Sequence, residues 1–288
     1  MDWFIFALLA AVMTAFSHML RKKALRKEHA MEFSTVWVMF NFLISLVFIP
    51  WVNFSVGYQV LLVIYLASFA ASIGIVFMMK AFRHLELSVA APFMNFGPVF
   101  LLFFSVLWLG EQITPLQLVG ISSIAIGGYV LGVDHKHKDL LYPLKSITRS
   151  KYIPLIFLAI FMFSLSAIAE KVSMSNVDPF TMNFFFWLFA TVNLFALLSF
   201  FYDGIRGVNH GMKISGIWIF LSSVFAVISS LAYFQALSFA YVALVVPIKR
   251  LSTLIDTLIG GRLFHEKNLM AKGIACVIML AGVYLIIL

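Results

Sequence analysis

Cysteine occurs once in these 288 residues, and charged side chains make up only 11% of them. A lone Cys276 excludes an intrachain disulfide and a thiolate metal cluster, and its place inside an apolar run reads as packing. No polar stretch exceeds about twenty residues, too short for a soluble domain, which typically runs to 50 or more. Acids are scarce as well, with 12 Asp and Glu in all. Acyl or glycosyl transfer at a bilayer needs clustered acid–base groups on one face, and a membrane-embedded transferase is the least favoured reading for that reason. His135-Lys136-His137 lacks carboxylate or thiol partners at ligand spacing, so neither a metal nor a cofactor is implied. The N-terminus has no cationic leader and no small-residue cleavage site, and it reads as a retained first helix.

What is present in abundance is apolar sequence: 63% hydrophobic residues, 32 of them Phe, with a mean hydropathy of +1.04. That composition specifies an all-α integral membrane protein, because long continuous apolar runs span lipid as helices. Ten runs are expected to be transmembrane helices: Trp3–Leu20, Phe33–Trp51, Gln59–Met79, Ser88–Leu109, Leu116–Val133, Tyr152–Ala169, Phe180–Tyr202, Ile214–Phe239, Val242–Gly261 and Leu269–Leu288. One long connection separates two groups of five. The expected organisation is therefore residues 1–133, a basic linker over 134–151, and residues 152–288.

The two groups resemble one another. A shift of 155 residues lays Pro92 on Pro247, Glu111 on Glu266 and Tyr129 on Tyr284 without a gap. Two copies with an odd number of spans enter the membrane in opposite senses, giving inverted five-helix repeats with a site at their interface near the midplane. Charge then suggests orientation. Of 20 Lys and Arg, 17 fall in odd-numbered loops, one (Lys171) in an even loop and two inside the ninth run. The positive-inside rule places the odd loops in the cytoplasm and both termini outside, in a plasma (inner) membrane. The net charge of +8 is thus a topology signal, and no folded basic surface suggests nucleic acid.

The ninth run, VALVVPIKRLSTLIDTLIGG, carries the chemistry. Lys249 and Arg250 fall near its middle, where a charge costs about 2.5–3.5 kcal/mol and persists chiefly when it faces a cavity or a partner. Pro247 frees a carbonyl and kinks the helix, and with Pro92 it is expected to act as a hinge. A kink beside two cations suggests a site for an anion, although snorkelling or a structural Lys249–Asp256 pair would also account for the charges. Asp256 is the candidate for proton coupling. Asn95, equivalent to Arg250 in the repeat, joins Tyr233, Gln235, Trp37 and Trp187 as expected substrate contacts. Glu170, beside Lys171, reads as a surface pair before a coupling carboxylate. His18 reads as a helix-end histidine, and Gly127, Gly128 and Gly132 as close helix contacts.

Ala90-Ala91-Pro92, Gly110-Glu111-Gln112 and the small residues from Gly120 to Gly132, echoed by Pro247, His265-Glu266-Lys267 and Gly273 to Gly282, resemble the EamA repeat. The resemblance covers essentially the whole chain as two copies. It implies the drug/metabolite transporter superfamily, with ten helices and alternating access. It also implies cytoplasmic termini, opposite to the charge reading, which is preferred here. Lys249-Arg250 is similar to the pair with which plastid sugar-phosphate translocators hold phosphate, although the equivalent residues in the first half are Met94 and Asn95. The expected function is secondary transport of a small polar metabolite bearing a carboxylate or phosphate, by exchange or with a proton, in a monomer or homodimer. A lipid-headgroup or polyprenyl-phosphate flippase is the alternative.

Overall fold

The computed structural model describes residues 2–25, 30–85, 93–132, 150, 152–201, 204–255 and 269–288. All regular structure among them is helical. The α-helices are α1 (Asp2–Leu25), α2 (Ala30–Ser45), α3 (Tyr58–His84), α4 (Gly97–Phe104), α5 (Pro115–Gly132), α6 (Ile153–Ser173), α7 (Pro179–Phe201), α8 (Ile205–Phe239), α9 (Val242–Lys249) and α10 (Leu269–Ile287). Six are long and apolar enough to cross a membrane, namely α1, α2 with the 3₁₀ turn after it, α3, α6, α7 and α8; shorter apolar helices cover Gly97–Leu109, Pro115–Leu131 and Ile274–Ile287.

Several boundaries differ from expectation. Helix α1 runs on to Leu25 and α8 begins at Ile205, so cations assigned to loops, Arg21 among them, stand on helices. At about 1.5 Å per residue, α8 is roughly 52 Å long, well beyond a hydrocarbon core of about 30 Å.

The larger difference lies in the fourth and ninth apolar runs, which are broken. Turns at Asn95–Phe96 and Arg250–Leu251 interrupt the two runs, at positions 155 apart. Around the second break the backbone tightens to three-residue spacing: Leu251 N–H donates to Ile248 O at 3.0 Å and Thr253 N–H to Arg250 O at 3.0 Å. Pro247, buried within α9, has no N–H to return to the Ala243 carbonyl, which weakens the α-helical ladder just before the break. Pro98, in the first turn of α4, has the same effect on the Met94 carbonyl.

The main helix pairs are preserved when the halves are exchanged. Helix α1 lies on α8 as α6 lies on α3, α2 meets α8 as α7 meets α3, and α4 meets α6 as α9 meets α1, while α2 pairs with α7 and α5 with α10. The α5–α10 crossing is close enough to require glycine. A Cβ on Gly120 would lie 2.6 Å from the Gly282 carbonyl oxygen, and one on Gly127 would lie 2.9 Å from that of Ala275. Residue numbers rise along α5 as they fall along α10, so this pair is antiparallel. Gly128 likewise packs on Asn95; Gly127 and Gly128 are close helix contacts, as expected. Outward faces carry exposed Ile5, Leu62, Phe103, Ile126 and Val277, the surface a lipid solvent accepts.

Candidate functional site

Four helices turn a stripe of the same spacing toward the centre. Thr14, Ser17, His18 and Arg21 of α1 stand at i, i+3, i+4 and i+7, and so do Phe163, Ser166, Ala167 and Glu170 of α6. Ala226, Ser229, Ser230 and Tyr233 of α8 repeat the pattern, and Ala71, Ile75 and Met78 of α3 follow it closely. This periodicity is one face of an α-helix, here carrying hydroxyls and charged groups among its apolar residues. Together with Trp37, Trp187, Lys249 and Arg250 the stripes enclose a central cavity of about 360 Å³. Its walls are knitted by hydroxyls: Thr14 and Ser229 are 2.7 Å apart, and Ser17 donates to the Ser222 carbonyl at 2.9 Å.

The cation pair enters this cavity from the break at the end of α9. The Lys249 ammonium lies 4.1 Å from the centroid of the Tyr233 ring, a cation–π contact of about 0.5–2 kcal/mol. The Arg250 side chain reaches across to the break in the other half, where a Cβ on Gly97 would meet Nη2 at 3.2 Å; Gly97 leaves room for that approach. Arg21 adds a third cation, with Cζ 4.6 Å from the centroid of Trp37. Trp37 in turn sets its edge against Trp187, with centroids 5.4 Å apart. Trp187 is fixed by donating to Asn183 Oδ1 at 3.0 Å and to Ser230 Oγ at 3.2 Å.

Glu170 is the one acid among the described residues that line the cavity. It is only 7% exposed. Ser166 donates to its Oε1 at 2.8 Å and the Tyr233 hydroxyl to its Oε2 at 3.0 Å. The expectation of a surface pair with Lys171 is corrected, because the two side chains diverge. Consecutive helical residues point about 100° apart, and Lys171 donates instead to the carbonyls of Leu237 and Ala240, at 2.6 and 2.7 Å. Lys171 thereby caps the C-terminus of α8, where a cation is favoured. Glu111 makes the complementary cap. Gly110 ends a π-helical turn over Ser105–Leu109, which follows α4, at φ 64°, a left-handed conformation that glycine adopts without steric cost. The chain reverses there and places the buried Glu111 carboxylate on the N-terminus of α9, accepting from Val242 N–H at 2.7 Å and Ala243 N–H at 3.1 Å.

Of the expected contacts, Lys249, Arg250, Tyr233, Trp37 and Trp187 come together around the cavity. Asn95 and Gln235 are not among its lining residues. Asn95 is buried and donates from Nδ2 to the Gly128 carbonyl at 2.7 Å, which ties the break in the first half to α5. Pro247 lies in α9, whereas Pro92 and Asp256 lie outside the described residues, as do the 134–149 portion of the linker and His265-Glu266-Lys267. Sequence reasoning missed Arg21, taken as a loop cation, and misjudged His18 and Glu170. The signal that would have found all three is the i, i+3, i+4, i+7 stripe of small and hydroxyl residues leading up to each.

Residues 1–133 and 150–288 match the EamA-like transporter family, one repeat in each half. No curated protein matches the chain. Among the solved structures, one crystal structure that is 12% identical superposes with a TM-score of 0.77, over 98% of this chain and 95% of its own. Likeness at that identity concerns the fold alone.

Proposed function

Because the chain belongs to the EamA-like transporter family, and so is a membrane transporter of small molecules, we propose that it is a secondary active transporter of a small polar anion. The observation that carries this reading is the charge of the central cavity: Arg21, Lys249 and Arg250 line it against the single carboxylate of Glu170. Lys249 and Arg250 place two adjacent cations inside a membrane bundle, where charge is costly, and a carboxylate or phosphate bound between them offsets it. The two Trp rings, packed edge to face, offer an apolar surface beside the charge for the remainder of such a molecule.

Alternating access is supported by the exchange symmetry of the packing and by the antiparallel crossing of α5 with its equivalent α10. A two-fold that reverses helix direction lies across the helix axes, in the plane of the membrane, as inverted repeats require. Ten spans follow if the broken fourth and ninth runs each cross the bilayer. The breaks then place half-helix ends at the midplane, where transporters of this construction bind their cargo. The charge bias assigns the ends of α1 and α3 and the start of α8 to the cytoplasm. A cysteine introduced at Lys138 in a Cys276→Ala background is expected to label only after permeabilisation, and labelling from outside intact cells would reverse the orientation.

The decisive test of substrate sign is a thermal-shift screen of the purified protein against metabolites, repeated on Lys249→Ala and Arg250→Ala. Anionic hits lost in both variants are expected. Hits confined to neutral or cationic compounds, retained in the variants, would remove the reading.

A further inference from the structure

Arg21 and Glu170 hold equivalent places in the two halves. The lining residues of α1 map onto those of α6 by one constant shift of 149, with Thr14 on Phe163, Ser17 on Ser166, His18 on Ala167 and Arg21 on Glu170. Those of α3 map onto α8 by 155, with Ala71 on Ala226, Ile75 on Ser230 and Met78 on Tyr233. Each of Arg21 and Glu170 lies near the C-terminal end of its helix. Under the inverted arrangement those ends face opposite sides of the membrane. The cavity thus carries a permanent cation toward one mouth and, at the equivalent place toward the other, the one group among the described lining residues whose charge a proton removes.

We propose that Glu170 is the coupling carboxylate of this transporter, taking up a proton when an anion occupies the cavity beside Lys249, so that anion and proton travel together. The inference rests on the anion-transport reading and adds the residue and the stoichiometry. Its basis is geometric. Glu170 Oε2 accepts from the Tyr233 hydroxyl at 3.0 Å, and the same Tyr233 ring lies 4.1 Å from the Lys249 ammonium. Tyr233 is a shared wall between the carboxylate and the cation. An ionised Glu170 offsets Lys249 and repels an incoming anion; a protonated one leaves the cation for the substrate. By linkage each partner then strengthens the binding of the other by the same factor. With the cavity empty, the ionised carboxylate offsets part of its positive charge.

The charged neighbourhood supports this assignment. Lys249 and Arg250 face Glu170 from α9, Tyr233 from α8, and His18 and Arg21 from α1 across the cavity. The described lining residues of α2, α3 and α7 add no titratable group, and α4, which packs on α6, contains none. Lys171 is engaged with the carbonyls of α8, and Glu111 with the N-terminus of α9.

The test is calorimetric titration of the purified full-length protein with benzenesulfonate, an anion that does not itself titrate between pH 5 and about 8, in buffers of different ionisation enthalpy. Wild type is expected to take up about one proton per anion where Glu170 is ionised in the empty state, with affinity rising up to about tenfold per unit fall in pH. Glu170→Gln is expected to bind the anion with about one proton fewer taken up than wild type and a correspondingly flatter dependence of affinity on pH. Tyr233→Phe, which keeps the carboxylate, is expected to keep the proton. Binding by wild type without proton uptake, or with the same uptake in Glu170→Gln, would overturn the role of Glu170 and leave the anion reading standing. Binding of benzylammonium but not benzenesulfonate, or of neither, would remove the anion reading and this inference with it.

Discussion

The turns at Asn95–Phe96 and at Arg250–Leu251 occupy equivalent positions in the two halves, and they present different chemistry. In the first half the side chain at the break, Asn95, is buried and spent on the Gly128 carbonyl. In the second half the same position holds Arg250, with Lys249 before it, and both line the cavity. The first helix of each half differs in the same manner, with Arg21 in one and Glu170 in the other. Duplication supplied the backbone twice, including a break that places half-helix ends near the middle of the bundle. Charge was then placed asymmetrically on that frame. An unequal pair of half-sites lets a two-fold scaffold hold a single substrate in one orientation, where two identical cation clusters would repel each other.

The strongest way to break this comparison is to remove charge from one side and polarity from the other. Lys249→Ala or Arg250→Ala is expected to weaken anion binding about 100-fold, the scale of losing one partner of a desolvated charge contact. Asn95→Ala is expected to leave anion binding within about threefold and to cost about 1 kcal/mol of stability through its lost helix–helix hydrogen bond. Fluorescence of Trp37 and Trp187 reports the first, and thermal unfolding the second. Equal losses of binding in all three variants would mean that the halves contribute alike.

Next in size is the crossing that relates the halves. Gly120→Leu forces side-chain atoms against the Gly282 carbonyl and is expected to destabilise the fold by at least about 1–3 kcal/mol. Gly216→Ala, inside α8 where a Cβ meets nothing within 4 Å, is expected to raise stability by up to about 1 kcal/mol, since alanine is favoured over glycine in a helix. Unfolding midpoints of the two variants in one detergent make the measurement. Similar midpoints would contradict the close approach of α5 and α10.

Glu111→Ala is a third test, because it strips two N–H groups of their acceptor at the start of the helix that carries the cations. A cost of about 1–3 kcal/mol is expected, with a fall in transport that Glu111→Gln partly restores. Transport that falls without loss of stability, and without rescue by Gln, would point to direct substrate contact instead of positioning. A modest effect is expected at Tyr233→Phe, about 0.5–1.5 kcal/mol for one hydrogen bond, read from the same unfolding curves.

Much of this was legible in the sequence. Among the described residues each of the ten apolar runs contains helix, six of them long enough to cross a membrane, and Lys249 and Arg250 marked the site by their cost at the centre of an apolar run. The glycine-rich fifth run foretold a close crossing. What escaped has physical reasons. The breaks were read as kinks, because a proline announces a weakened ladder but not the length of the turn that follows. Arg21 and Glu170 stand near the ends of apolar runs, where hydropathy alone cannot separate a solvated charge from one facing a cavity. Glu170 and Lys171 looked like a pair because opposite charges sat side by side in the sequence. On a helix adjacent residues diverge, and each had a better partner elsewhere: the Tyr233 hydroxyl for one, the end of α8 for the other. The Gly110-Glu111 motif was recognised by resemblance, and its role as the cap of α9 required the fold, since its target lies 131 residues away in the chain.

The claim on which the rest depends is that the cations at the break in α9 set the sign of the cargo. Competition between two probes of the same shape and opposite charge, benzenesulfonate and benzylammonium, measured through the cavity tryptophans in wild type and in Lys249→Glu, tests it most directly. The prediction is that wild type binds the sulfonate in preference to the ammonium and that Lys249→Glu reverses the order. Preference for the ammonium in wild type, or an order unchanged by the substitution, would contradict it.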